Sequence, residues 1–150
     1  MIQTDNAAKK LKAAIRRPIQ GFRPPEDLSL SDWSDKYRRL SAENSAEAGP
    51  WRTSRTPYLK EPMNAFTDPK VKRIVMVAAS QVGKTELELN AIAYIIDQDP
   101  GSILYIHPTL EEAKMFSRQR VAPLVRDNKR LRDKVADIKA RDSGNTILQK

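Results

Sequence analysis

Along this chain the spacing of apolar positions changes several times, and each change marks an element. In LSLSDWSDKYRRL, Leu30, Trp33, Tyr37 and Leu40 recur at helical intervals behind a capping Ser29 or Ser31, predicting a short helix over about residues 30 to 40. The stretch 41–57, SAENSAEAGPWRTSRTP, is rich in turn formers and reads as a loop. After Pro57, which suits a first helical position, Tyr58, Leu59, Met63 and Phe66 restart a helical pattern that Asp68-Pro69 ends. KRIVMVAA, 72–79, is continuously apolar and β-branched, the pattern of a strand buried on both faces of a parallel sheet. A helix is expected over 85–97, with Leu87, Ala91, Tyr94 and Ile95 at helical spacing, and Asp99-Pro100-Gly101 turns the chain into a second buried strand, SILYI, 102–106. Thr109 then caps a helix running to about residue 125, with Glu112 completing a capping box. Strand, loop, helix, strand, helix in this order predicts an α/β fold: a parallel sheet flanked by helices.

The segment before this unit differs in kind. Residues 1–27 read as a flexible basic arm: Ala7–Arg17 suits a basic helix, and Pro18, Gly21, Pro24 and Pro25 break anything longer. Residues 28–150 are then expected to belong to one domain. Neither the arm nor any later stretch has the apolar run of a secretory signal or a membrane span, so no membrane partner is expected. The 27 Lys and Arg against 19 Asp and Glu give a net charge of +8, which draws polyanions such as nucleic acid and also serves plain solubility. The chain has no cysteine, which excludes disulfides and thiolate chemistry and suits a reducing cytoplasm.

The densest chemistry lies between the first expected strand and its helix, in AASQVGKTE, 78–86. It matches the phosphate-loop pattern G-x-x-x-x-G-K-[ST] at Gly83, Lys84 and Thr85, with Ala78 in place of the first glycine. Gly83 lets backbone N–H groups approach phosphate oxygens, and Lys84 offsets charge at the β- and γ-phosphates as the expected catalytic residue. Thr85 offers its hydroxyl to Mg²⁺, and the helix N-terminus adds free donors. The expected nucleotide-binding set is Ser80, Gln81, Val82, Gly83, Lys84, Thr85 and Glu86, with ATP and Mg²⁺ as cofactors. The sheet is therefore expected to be P-loop NTPase-type, and residues 28–150 the N-terminal portion of a P-loop ATPase domain.

An ATPase also needs an apolar strand ending in Asp-Glu, and none occurs here. AYIIDQD, 93–99, imitates one but sits on the helix after the loop, so Asp97 and Asp99 read as a solvated helix end. His107, the single histidine, has no partners for a triad and reads as facing a loop or DNA. From Lys114 to Arg141 ten basic residues face three aspartates, a surface suited to a DNA backbone or simply to solvent. Lys114, Arg118 and Arg120 are the DNA-contact candidates.

These residues together resemble the large terminase subunit of lambda-like tailed phages, the GpA-type packaging ATPases. The resemblance rests on residues 28–69, on VMVAASQVGKTELELNAIAYIIDQDPG (75–101), on ILYIHPTLEEAKMFSRQRVAPLVRD (103–127) and on RDSGNTILQK (141–150). It implies an ATPase that drives double-stranded DNA into a preformed capsid in the infected host's cytoplasm. It further implies a small terminase subunit, a portal and a homo-oligomeric ring as partners. A genome-cutting nuclease and the Asp-Glu strand are expected beyond this chain, in which NTILQK reads as an opening strand. By position the adenine-binding segment lies around Trp51 to Tyr58, where either ring stacks on the base or simply packs in the core. The chain departs from many large terminases at Ser80, where they carry an arginine near the γ-phosphate. A helicase-like DNA translocase shares the loop but lacks the run 28–69, and a degenerate DNA- or capsid-binding module without ATP turnover remains a third reading.

Overall fold

The computed structural model describes residues 26–135 and 146–148. Nearly all of the expected basic arm, and the ends of NTILQK, lie outside the described residues.

Helix α1, Leu30–Tyr37, begins where the Ser29 hydroxyl accepts the Asp32 N–H at 3.2 Å. It buries Leu30 and Trp33 on one face. Arg38 leaves the helix in extended conformation, and the chain makes a short antiparallel pair, β1 (Arg39–Leu40) with β2 (Gly49–Pro50). Two 3₁₀ turns, Thr53–Arg55 and Pro57–Leu59, lead into helix α2, Lys60–Thr67. Helix α3, Lys84–Gln98, is the longest element described, at 15 residues.

Helix α4, Leu110–Phe116, is capped as its sequence predicts, Thr109 Oγ1 accepting the Glu112 N–H at 3.2 Å. It passes through a π-turn, Ser117–Val121, into α5, Ala122–Asp127. Pro123 explains the wide turn: it has no N–H to give and its ring crowds the carbonyl four residues back, so the ladder loosens before it. A last turn, α6 (Lys129–Arg132), follows Asn128.

Helix α3 is the spine between two apolar clusters. Ala91 packs with Leu30, Trp51, Leu59 and Met63, flanked by Leu87 and Tyr94. The other face sets Leu89 and Ala93 against Trp33, Leu124 and Leu131. Each fully buried Leu or Met contributes about 1.5–3 kcal/mol, so these two seams fix how α1, α2, α5 and α6 sit around α3.

The expected parallel sheet is not shown among the described residues. The described residues contain helices and one two-residue antiparallel pair; segments 72–79 and 102–106 run without a ladder partner. Their side chains lie open, Val77 at 96% and Leu104 at 85% exposure. A run apolar on both faces is stable as a strand only when neighbouring strands take up its backbone donors and acceptors. One correction concerns Asp97, expected in solvent: its side chain is fully buried. Asp99 is exposed, as expected.

Candidate functional site

The loop after residue 79 turns sharply through two positive-φ residues, Gln81 at 60° and Gly83 at 86°. Gly83 is the N-cap of α3 and offers no side-chain cap, so the first-turn N–H groups of a 15-residue helix face outward. A Cβ on Gly83 would also stand 3.2 Å from Leu59 Cδ1, so glycine is favoured twice, by backbone angle and by close packing.

Lys84 folds back over the loop. Its ammonium donates to the carbonyls of Ala78 at 2.7 Å and Ala79 at 2.6 Å. This places a positive charge across the mouth of the turn, beside the uncapped helix end. Thr85 is exposed next to it. Among the described residues no group of three or more His, Asp or Glu side chains is arranged to hold a metal ion. A cation here would therefore take the Thr85 hydroxyl together with oxygens of its own ligand, which is how Mg²⁺ binds beside phosphates.

A cavity of about 420 Å³ opens beside the loop. Gln81, Val82, Gly83 and Glu86 line one side, and Asn44, Trp51, Arg52, Arg55 and Tyr58 line the other. Tyr58 is 57% exposed, and its hydroxyl donates to the Val82 carbonyl at 3.2 Å, tying the cavity wall to the loop. Trp51 is 5% exposed and its Nε1 donates to Thr53 Oγ1, so its ring belongs to the core and only borders the cavity. Arg55 pairs with Glu47 at the rim. Among the named candidates, the fold thus gathers Gln81, Val82, Gly83, Glu86, Trp51 and Tyr58 around one opening, while Ser80, Lys84 and Thr85 belong to the same loop without lining it.

Sequence reasoning does not mark Arg38, which is 4% exposed and donates to Glu86 and Asn90. Burial lowers the proton affinity of its guanidinium, and the Glu86 and Asp127 carboxylates oppose that effect. Nor did it mark Asp97, which gathers Trp33 Nε1 at 2.8 Å, Gln98 Nε2 at 2.6 Å, Arg130 Nε at 2.8 Å and Lys134 Nζ at 2.9 Å. A signal existed there: Asp97 lies four residues after Ala93 and eight after Leu89, on the buried stripe of α3.

The basic run is divided. Arg126 pairs with Glu43 and Asp127, while Arg130 and Lys134 are held by Asp97. Arg120 donates to the Asn44 carbonyl at 3.4 Å, which ties the π-turn to the cavity's outer wall. Lys114 is half-buried and Arg118 exposed, and neither takes a partner among the described residues. His107 is half-buried against Tyr105 and Phe116, each ring centroid 4.8 Å away, rather than turned to solvent. Among the described residues no helix is long and apolar enough to cross a membrane.

Comparison with known proteins adds a family. Residues 45–150 match the family described as phage terminase large subunit gpA, ATPase domain. The chain is 25% identical over 124 residues to the terminase large subunit of Escherichia phage lambda, covering 83% of this chain and 19% of that protein. It is 27% identical over 127 residues to the terminase large subunit of Enterobacteria phage P21, covering 85% of this chain and 20% of that protein. The chain thus spans about a fifth of the length of the curated relatives it matches. No solved structure is significantly similar to it.

Proposed function

The chain belongs to the phage terminase large subunit gpA ATPase-domain family, and on that premise we propose that its loop at 80–86 binds Mg-ATP to power packaging of double-stranded DNA into a capsid. The observation that carries the reading is the loop itself. A lysine ammonium lies across a tight turn at the uncapped start of a long helix, beside a cavity large enough for a nucleoside. A polyphosphate oxygen offers Lys84 the same acceptor chemistry that the Ala78 and Ala79 carbonyls supply here. Gly83 and the first turn of α3 add backbone donors, and Tyr58 borders the space where a base fits. Mg²⁺, when bound, would supply positive charge to offset that of the phosphate oxygens. Thr85 is the residue of this chain that would hold it.

Segments 72–79 and 102–106 are, in this reading, strands of a parallel sheet. Their exposed apolar side chains support it, because such surface is stable in water only when covered. The sequence offers no acidic strand to orient an attacking water, so sustained turnover draws that carboxylate from another segment or subunit. Lys114, Arg118 and Arg120 are proposed to face DNA, with the first two the freer. A small terminase subunit, a portal and further copies of the chain are the proposed partners, the infected cell's cytoplasm the place, and a genome-cutting nuclease the accompanying activity. Membership of the family sets the helicase-like reading aside.

The test is nucleotide binding. Replacing Lys84→Ala removes a charge-assisted contact to phosphate and lowers Mg-ATP affinity by about a hundredfold, read by isothermal titration on the chain as its own gene encodes it. Equal affinity in the two proteins would mean the loop does not hold phosphate, and the module without nucleotide chemistry would stand instead.

A further inference from the structure

A buried arginine next to a phosphate loop is unexpected unless it answers a charge. Arg38 leaves the end of α1 with 4% of its surface exposed, and its three nitrogens are all spent internally. Nε donates to Asn90 Oδ1 at 3.0 Å, Nη2 to Glu86 Oε2 at 3.0 Å, and Nη1 to the Arg39 carbonyl. The backbone it stands on is itself fixed. Asn128 accepts the Arg39 N–H at 2.7 Å and donates back to the Arg39 carbonyl at 3.3 Å.

Glu86 is the residue that makes this placement consequential. It follows Thr85 directly, sits in the first turn of α3, and lines the 420 Å³ cavity together with Gly83. A carboxylate there favours the helix dipole but repels any anion held by the same turn. Its side chain is 21% exposed, so it borders both the cavity and the guanidinium.

We infer that Arg38 is a positioning residue: it draws the Glu86 carboxylate toward α1 and neutralises it, so that the first turn of α3 and Lys84 meet a polyanion without an opposing charge. This rests on the nucleotide reading above and deepens it. The inference concerns charge rather than shape, and it therefore makes a charge-graded prediction. With Arg38 gone, Glu86 is an unpaired carboxylate facing the ligand, and the loss grows with the number of phosphates.

The experiment measures affinities of Mg-ATP, Mg-ADP and adenosine for the wild-type chain, Arg38→Met, Arg38→Met with Glu86→Gln, and Lys84→Ala. Arg38→Met is expected to weaken Mg-ATP about tenfold, Mg-ADP by less, and adenosine hardly at all, as one unscreened like charge a few ångströms away would do. Adding Glu86→Gln should return the ratio of ATP to adenosine affinity to its wild-type value. Arg38→Gln keeps a donor for Glu86 but no charge; it should lower the ratio in the same way, and it carries the test if Arg38→Met does not fold. A merely structural arginine gives equal losses for all three ligands and no recovery in the double variant, and either result overturns the inference. If the wild type itself prefers none of the three, or Lys84→Ala leaves Mg-ATP affinity unchanged, the nucleotide reading fails and takes this one with it. A normal Lys84→Ala loss beside an unchanged Arg38→Met ratio defeats the Arg38 inference alone.

Discussion

At its N-terminus helix α3 starts on a glycine with no side chain capping its first N–H groups, whereas at its C-terminus Asp97 is surrounded by Trp33, Gln98, Arg130 and Lys134. The two ends handle charge differently. Around Asp97 each charge is met from inside the molecule, which ties α3 to α1 and α6. Around Gly83 the Lys84 ammonium is met only by loop carbonyls, while the Glu86 carboxylate is drawn aside by Arg38. Saturated polar groups hold a structure together, and unsaturated ones remain available to a ligand. The apolar seams between the two ends carry the difference, because they keep α3 rigid enough for one end to stay open.

The largest effect on stability is expected at the closed end. Asp97→Ala leaves the Trp33 N–H buried without an acceptor and releases two cations, and should lower unfolding free energy by about 3 kcal/mol in urea titration. Burial alone would push the Asp97 carboxyl up, but the bonds from Lys134, Trp33, Gln98 and Arg130 bring it below the usual carboxylate range. The sign follows directly. Because the folded state binds this proton less readily than the unfolded chain, the stabilisation is complete above about pH 4 and fades as the pH falls further. Unfolding of wild type and Asp97→Asn compared at pH 6 and pH 3 should therefore show a gap that narrows in acid. A gap of constant size would mean the carboxylate's charge contributes little.

The same contrast explains what the sequence made legible. Helices α1 to α4 were readable because their apolar positions keep helical spacing and their caps, Ser29 and Thr109, are written in adjacent residues. The candidate loop at 80–86 stands out because its glycine, lysine and threonine are contiguous. Apolar composition in 72–79 and 102–106 reads as strand-like, but a strand needs a neighbour, and composition does not say whether the neighbour is in hand. The second buried face of α3, Leu89 and Ala93, was missed because the first face, Ala91 with Leu87 and Tyr94, already accounted for an amphipathic helix. Arg38 and Asp97 were hidden for one reason. A charged side chain reads as solvated until a partner distant in sequence is known, and theirs lie at Glu86 and at Trp33 and Arg130. The pair β1 and β2 spans two residues on each side, too little for alternation to register.

At the open end a smaller stability effect is expected from Gly83→Ala. The left-handed angle of 86° costs an L-residue about 1–2 kcal/mol, and the new methyl meets Leu59 Cδ1 at 3.2 Å. The loop should relax away from the helix end, so thermal unfolding falls modestly while Mg-ATP affinity drops about tenfold. Unchanged affinity would show that the turn's geometry is not what holds phosphate, which would weaken the contrast between the two ends.

The mildest test separates two jobs for Tyr58. Its hydroxyl holds the Val82 carbonyl at 3.2 Å, and its ring, 57% exposed, faces the cavity. If the ring packs on a base, Tyr58→Phe keeps the surface and loses one exposed hydrogen bond, a change of about twofold or less in Mg-ATP affinity. Tyr58→Ala then removes the stacking surface and costs about tenfold for ATP, while leaving inorganic triphosphate unaffected. Should the hydroxyl matter instead, by tethering the loop, Tyr58→Phe and Tyr58→Ala would lose affinity alike, and the triphosphate would suffer with them. The comparison of ATP with bare triphosphate therefore decides whether the cavity wall recognises a nucleoside or only steadies the loop that holds the phosphates.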